Sequence, residues 1–269
     1  HTRYYTPLEG ERVYSPYASY CCSNNLRRII PAIPGMIYLK GNNSLAVNLY
    51  TESEATVEIG GKEIRIKQIT DYPTSGNIKI QLATVTESSF NLMLRIPSWS
   101  KNATVYLNGE KMDASAASGQ FFVLTREWSD ADEVEIRFEM QPCMIRGTKK
   151  QSGRIAVMRG PLLYCLNPAN SGKLNNLDGA SLGQITLYPK SLELLSDDSV
   201  RPDGTAFKVK VWPPGDYRTL PENLSEIILT EFTDPGCAAT YFKLQDLDEE
   251  SVADELFRQN RTMLPGIME

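Results

Sequence analysis

Apolar and polar positions divide the chain into three stretches. Residues 1–40 have neither strand alternation nor a long helical period. The opening, HTRYYTPLEGERVYSPYASYCC, places Tyr4, Tyr5, Tyr14, Tyr17 and Tyr20 in what reads as an aromatic-rich loop. The next segment, SNNLRRIIPAI, predicts a short helix with Ser23 or Asn24 as N-cap and Leu26, Ile29 and Ile30 on one face. Pro31 and Pro34 are expected to stop it, and Gly35 to close the segment.

From Met36 the pattern turns to period two. VNLY is followed by ATVEIGGKEIRI, whose alternating runs are joined by Gly60-Gly61, a two-residue hairpin signal. NIKIQL, FNLMLRI, ATVYL, QFFVLT and EVEIRFEM continue the alternation, with the turn dipeptide Asn108-Gly109 after ATVYL. Short strands with one apolar face and frequent turns predict an antiparallel sandwich. After Pro142 the pattern weakens but stays β, in RIAVMRG, PLLYCL, GQITLY, FKVKVW and SEIILTEF. Asn-, Gly-, Asp- and Pro-rich loops separate these runs, and a boundary to a second sandwich is expected between Pro142 and Gly147. The tail DLDEESVADELFRQN can form one acidic helix, with Val252, Leu256 and Phe257 on its apolar face.

Composition narrows the function classes. The 269 residues are 41% hydrophobic, enough for a packed core and against global disorder. The net charge of −5 argues against nucleic acid, whose phosphates need clustered base. No apolar run approaches the ~18–20 residues of a membrane span, and no signal peptide is expected at the start. The single histidine, His1, leaves no Ser-His-Asp, Cys-His or HExxH chemistry to this chain alone.

Five cysteines at low density do not resemble a small disulfide framework. Cys143, Cys165 and Cys237 stand singly and read as small buried hydrophobes. Cys21 and Cys22 are adjacent, a spacing poorly suited to a mutual disulfide. Two thiolates at the edge of a short helix suit zinc, which favours sulfur and keeps a thiolate available near neutral pH. Two partly buried thiols with no chemical role are the alternative. Two ligands do not complete a four-coordinate site, so any zinc site is incomplete in this chain. Glu9 and Glu11 precede the pair and read as surface loop charges. Trp99, Trp128 and Trp212 read as packing residues rather than sugar platforms. DLDEES (246–251) lacks the glycine and the terminal glutamate of a calcium loop.

Several segments, in order along the chain, resemble glycoside hydrolase family 127, the β-L-arabinofuranosidases and their bacterial relatives. They are YYTPLE (4–9), CCSNNLRRI (21–29), YPTSGNIKI (72–80), LRIPSW (94–99), VYLNGE (105–110), REW (126–128), RGPLLYCL (159–166) and TEFTDPGCAATYFKL (230–244). The resemblance implies a C-terminal portion: mainly β, with two antiparallel β-sandwiches preceded by a short loop-helix remnant of an (α/α)6 barrel. The implied divisions are 1–38 for the barrel remnant, 39–142 for the first sandwich and 143–269 for the second.

By resemblance, Cys21 is the nucleophile of a retaining glycosidase and a zinc ligand, and Cys22 is a second ligand. The family's other ligands, a glutamate and a cysteine, and its acid/base glutamate lie upstream of the segment represented here. The implied substrates are arabinofuranosyl groups of plant-type glycans. The resemblance leaves a homodimer open, and the compartment open between bacterial cytoplasm and periplasm. Ser23-Asn24-Asn25 stands where many relatives have prolines, and Pro31 interrupts a helix that is longer in them. A non-catalytic β-sandwich module that braces a barrel or binds carbohydrate is the competing expectation for the chain alone.

Overall fold

The computed structural model describes residues 6–13, 20–84, 88–113, 116–216, 218–245 and 252–253. It divides the chain into two units, Ser23–Met140 and Gln141–Glu269 with His1–Cys22. The first elements are α1 (Tyr20–Ala32) and α2 (Pro34–Ile37). Then come β1 (Tyr38–Lys40), β2 (Ser44–Val47), β3 (Ser53–Ile59), β4 (Lys62–Ile69) and β5 (Asn77–Thr84). β6 (Ser88–Arg95), β7 (Ala103–Leu107), β8 (Glu110–Lys111), β9 (Phe121–Trp128) and β10 (Glu133–Phe138) complete the first unit.

The helix departs from the sequence expectation at both ends. It begins at Tyr20, so Ser23 and Asn24 lie inside it rather than at its cap, and it runs through Pro31. Pro31 is tolerated because it falls in the last turn, where little helix remains to break. The Ile33 amide still reaches Ile29 O at 3.1 Å, and Pro34 opens α2, where a missing N–H costs nothing. Leu26, Ile29 and Ile30, the expected apolar face, are 47%, 57% and 56% exposed.

The first unit is a two-sheet sandwich. One sheet has the order β1-β2-β6-β9 and the other β3-β4-β5-β10-β7-β8. Gly60-Gly61 (φ 58° and 77°) and Asn108-Gly109 (φ 50° and 84°) form the two tight hairpin turns, pairing Ile59 with Lys62 and Leu107 with Glu110. Alternation sends Ile64 and Ile66, Ile78 and Ile80, Leu92 and Leu94, and Val134 and Ile136 into one core, all at 0% exposure. Each such burial contributes about 1.5–3 kcal/mol. The outer face of the six-stranded sheet is polar, as in the row Glu54, Lys67, Gln81, Glu133. Two details differ from an antiparallel sandwich read strand by strand. β2 ends at Val47, so VNLY is only partly strand, and β2 pairs with β6 in parallel. The parallel pair arises because β3, β4 and β5, which lie between them in sequence, belong to the other sheet.

The second unit contains β11 (Pro142–Arg146), β12 (Ile155–Arg159), β13 (Leu162–Leu166), the short helix α3 (Gly179–Leu182), β14 (Thr186–Ser196) and β15 (Thr205–Trp212). β16 (Ser225–Glu231), β17 (Tyr241–Phe242) and β18 (Val252–Ala253) follow. Its strands form one connected sheet, β14-β15-β16-β13-β12-β11-β18 with β17 on β12, and not two separate sheets. Strands from across this sheet still share one core, including Ile155, Tyr164, Leu187, Val209 and Leu229. Val252 and Ala253, expected on a helix, instead pair in parallel with Met144 and Ile145; the rest of that expected helix lies outside the described residues. No helix among the described residues is long and apolar enough to cross a membrane.

Candidate functional site

Cys21 and Cys22 occupy the first turn of α1. Backbone amides of a helix's first turn lack intrahelical acceptors and carry the positive end of the helix dipole. A thiol placed there ionises more readily, which suits both nucleophilic attack and metal ligation. The side chains of both cysteines lie outside the described residues. Among the described residues, no group of three or more His, Cys, Asp or Glu could hold a metal ion. The DLDEES segment also falls outside them.

Residues 9–12, ahead of the pair, have defined partners far along the chain. Glu9 forms an antiparallel bridge with Ala239, and Gly10 (φ 86°) donates its amide to Ala238 O at 2.8 Å. Arg12, only 6% exposed, donates from Nη1 to Phe232 O at 2.5 Å and Asp234 O at 2.7 Å, and sits 4.2 Å from the Phe232 ring centre. The Glu9 carboxylate is ion-paired with Arg154. Glu9 is therefore a half-buried anchor and not a solvent-facing loop charge, whereas Glu11 is exposed. Nothing local in the sequence announces this strap, because its partners lie 145 or more residues away.

The other segments that carried the resemblance form structural knots. Tyr72, from YPTSGN, and Trp99, from LRIPSW, both pack edge-on to Phe138, with ring centres 6.4 and 5.6 Å away. Tyr50 completes the group at 5.3 Å from Phe138 and donates its hydroxyl to Arg95 O at 2.8 Å. Burial raises the hydroxyl pKa values of Tyr50 and Tyr72 above the ordinary range, so both stay neutral. Trp128 and Trp212 are buried, their indole N–H groups bonded to Phe90 O and Thr219 O. Trp128 and Trp212 therefore present no open face for a sugar, and Trp99 is half-buried against the core.

In VYLNGE, Asn108 bonds to Asp132, whose carboxylate also accepts from Ser129 N and Ser129 Oγ. Burial alone pushes the Asp132 carboxyl up; the bonds from Asn108 and Ser129, with Arg126 nearby, outweigh it and hold the group below the usual range. RGPLLYCL and TEFTDPGCAATYFKL are joined by a disulfide between Cys165 and Cys237, Cα atoms 6.0 Å apart. These two cysteines are buried, as expected, but bonded. Cys143 is half-buried on β11. The buried Glu231 takes Arg201 Nε and Nη2 at 2.7 and 2.8 Å and the Thr205 amide at 3.0 Å. Sequence reading missed this ion pair, since Arg201, in the loop before β15, lies 30 residues from Glu231 at the end of β16.

Residues 44–140 match the middle domain of GH127 β-L-arabinofuranosidase. A non-reducing end β-L-arabinofuranosidase of Bifidobacterium longum subsp. longum is 29% identical over 164 residues, covering 58% of this chain and 25% of that protein. The structure is similar to a GH127 β-L-arabinofuranosidase from Geobacillus stearothermophilus T6 (TM-score 0.68, 25% identity, 84% of this chain and 37% of that one). It also shares its fold with a solved GH127 β-arabinofuranosidase (TM-score 0.73, 23% identity, 93% of this chain and 43% of that one). The chain thus spans about a quarter of the curated relative, and well under half of these solved chains. The resemblance read from the sequence is borne out.

Proposed function

We propose, from the premise that residues 44–140 are a middle domain of the GH127 β-L-arabinofuranosidase family, that this chain is the C-terminal portion of a zinc-dependent retaining glycoside hydrolase. Its substrates in this reading are L-arabinofuranosyl groups of plant-type glycans. The observation that supports it is the Cys21-Cys22 pair in the first turn of α1, directly ahead of a GH127 middle domain.

A retaining glycosidase needs a nucleophile and a group that protonates the departing oxygen and later deprotonates water. Cys21 supplies the first: its thiolate bonds to the anomeric carbon as the glycosidic C–O bond breaks. Water then displaces the sulfur and restores the thiolate, so two inversions give retention. Two sulfur donors fit zinc, with Cys21 and Cys22 as two of four ligands; zinc supplies a thiolate kept deprotonated near neutral pH. The remaining ligands and the acid/base group come from outside the described residues. α1, with its exposed Leu26, Ile29 and Ile30, is read as the end of the barrel.

The test is hydrolysis of a β-L-arabinofuranoside by the natural protein in which this chain lies, compared with its Cys21→Ala variant. Loss of turnover in the variant supports the assignment; full activity in it removes Cys21 as nucleophile. A second reading, a bracing or carbohydrate-binding module without catalysis, holds for the isolated 269 residues. It is favoured by coverage, since the chain spans only about a quarter of the curated relative. Turnover by the purified chain alone would overturn it.

A further inference from the structure

Residues 9–12 dock on a stretch of the second unit that a disulfide ties to β13. Every acceptor of Arg12 Nη1 and of the Gly10 amide named above lies between 232 and 238, and Cys237 within that stretch is bonded to Cys165 of β13. Residues 232–240 belong to none of the strands, so a ladder does not hold their shape. Besides the disulfide, they are held by the burial of Ala238 and Ala239 in the core and by hydrogen bonds, among them Phe232 N to Leu163 O at 2.7 Å. The Leu166 amide donates to Ala239 O at 2.7 Å, and Ala238 N donates back to Leu166 O at 2.9 Å. The Asp234 carboxylate collects Asn167 Nδ2, Thr230 Oγ1 and Gly236 N.

We infer that the Cys165–Cys237 disulfide is a redox latch for the N-terminal strap: residues 9–12 stay docked while the bond is oxidised and loosen when it is reduced. Loss of the crosslink enlarges the set of conformations open to the 232–240 loop. Arg12 bonds to two carbonyls of that loop at once, so few of the added conformations accept it. The coupling is reciprocal, and a docked strap protects the disulfide as much as the disulfide protects the strap. The chemistry is thiol–disulfide exchange. Both cysteines are buried, so exchange follows local opening of the 232–240 loop: a dithiol reductant then attacks one sulfur, closes to its own disulfide and leaves Cys165 and Cys237 as two thiols, a transfer of two electrons and two protons. The latch ties the strap to the thiol poise of the compartment, since such bonds persist under oxidising conditions. It does not depend on the glycosidase reading.

The experiment is amide hydrogen exchange on the natural protein, oxidised and as the Cys165→Ala/Cys237→Ala variant. In the variant, exchange over residues 6–13 rises about tenfold while β15 and β16 keep their protection. Unchanged protection over 6–13 in the variant overturns the latch. If β15 and β16 also lose protection, the reciprocal measurement decides. Arg12→Ala in the oxidised protein is equilibrated with dithiothreitol buffers, and its midpoint shifts about tenfold toward easier reduction. A midpoint equal to that of the unsubstituted protein overturns the proposal. So does alkylation of both Cys165 and Cys237 when thiols are trapped in the source cells.

Discussion

Asn108 donates its side-chain amide to Asp132 Oδ1 at 2.8 Å, tying the β7–β8 hairpin turn to the turn between β9 and β10. Asn108 also accepts from Glu133 N at 2.8 Å, and Asp132, 4% exposed, caps Ser129 N at 2.8 Å. One residue of the LNGE motif thus fixes a hairpin turn of the six-stranded sheet and the turn that leads from the four-stranded sheet into it. Its left-handed backbone (φ 50°) is one that asparagine tolerates better than most residues.

Asp132 makes stability pH-dependent. Its folded carboxyl titrates below the usual value, so its contribution is fully present above the unfolded pKa, about 3.9, and is lost as pH falls through the lower folded value. Asp132→Asn costs about 1–2 kcal/mol at neutral pH, because Ser129 N loses its charged acceptor. Urea melts at neutral pH and near pH 2 check this: the gap between the two proteins narrows in acid, and a gap constant with pH refutes the account.

Glu231→Ala removes the carboxylate that Arg201 and the Thr205 amide share, at a site only 3% exposed. The expected loss is about 3 kcal/mol, larger than for Glu231→Gln. Denaturant melts of both variants measure it; equal and negligible losses would mean solvent replaces the carboxylate.

Gly76 and Gly60 separate two costs of adding a methyl. At Gly76 the new Cβ would meet Phe138 O at 2.1 Å, a backbone atom held in the sheet, and Gly76→Ala costs about 2–4 kcal/mol. At Gly60 nothing lies within 4 Å, but φ is +58°, and Gly60→Ala costs about 1 kcal/mol from the backbone alone. Thermal melts that reverse this order would refute the packing argument.

The proposed zinc site predicts that the natural protein carries about one zinc per chain and that Cys22→Ser lowers the content at unchanged fold. Elemental analysis with circular dichroism reads both. Undiminished zinc in the variant excludes Cys22 as a ligand.

Strands and tight turns were legible in the sequence because their causes are local. Ile64 and Ile66, or Val134 and Ile136, declare a buried face by alternation, and Gly60-Gly61 and Asn108-Gly109 declare their turns by the backbone they permit. The Cys21-Cys22 pair was equally visible, as a chemistry carried by two neighbouring residues.

Other features depended on what the chain meets far away. The second unit's single sheet, the parallel β2–β6 and β11–β18 pairs, the Cys165–Cys237 bond, the Glu231–Arg201 pair and the docked strap at Glu9 and Arg12 all join segments distant in sequence. The start of α1 at Tyr20 also escaped local reading, since a good N-cap at Ser23 or Asn24 is worth only about 1 kcal/mol. Periodicity by itself determined which faces of the strands are buried. Only the tertiary structure decided which strands share a sheet and which polar groups become partners, because those choices are made by closure of long loops around a common core.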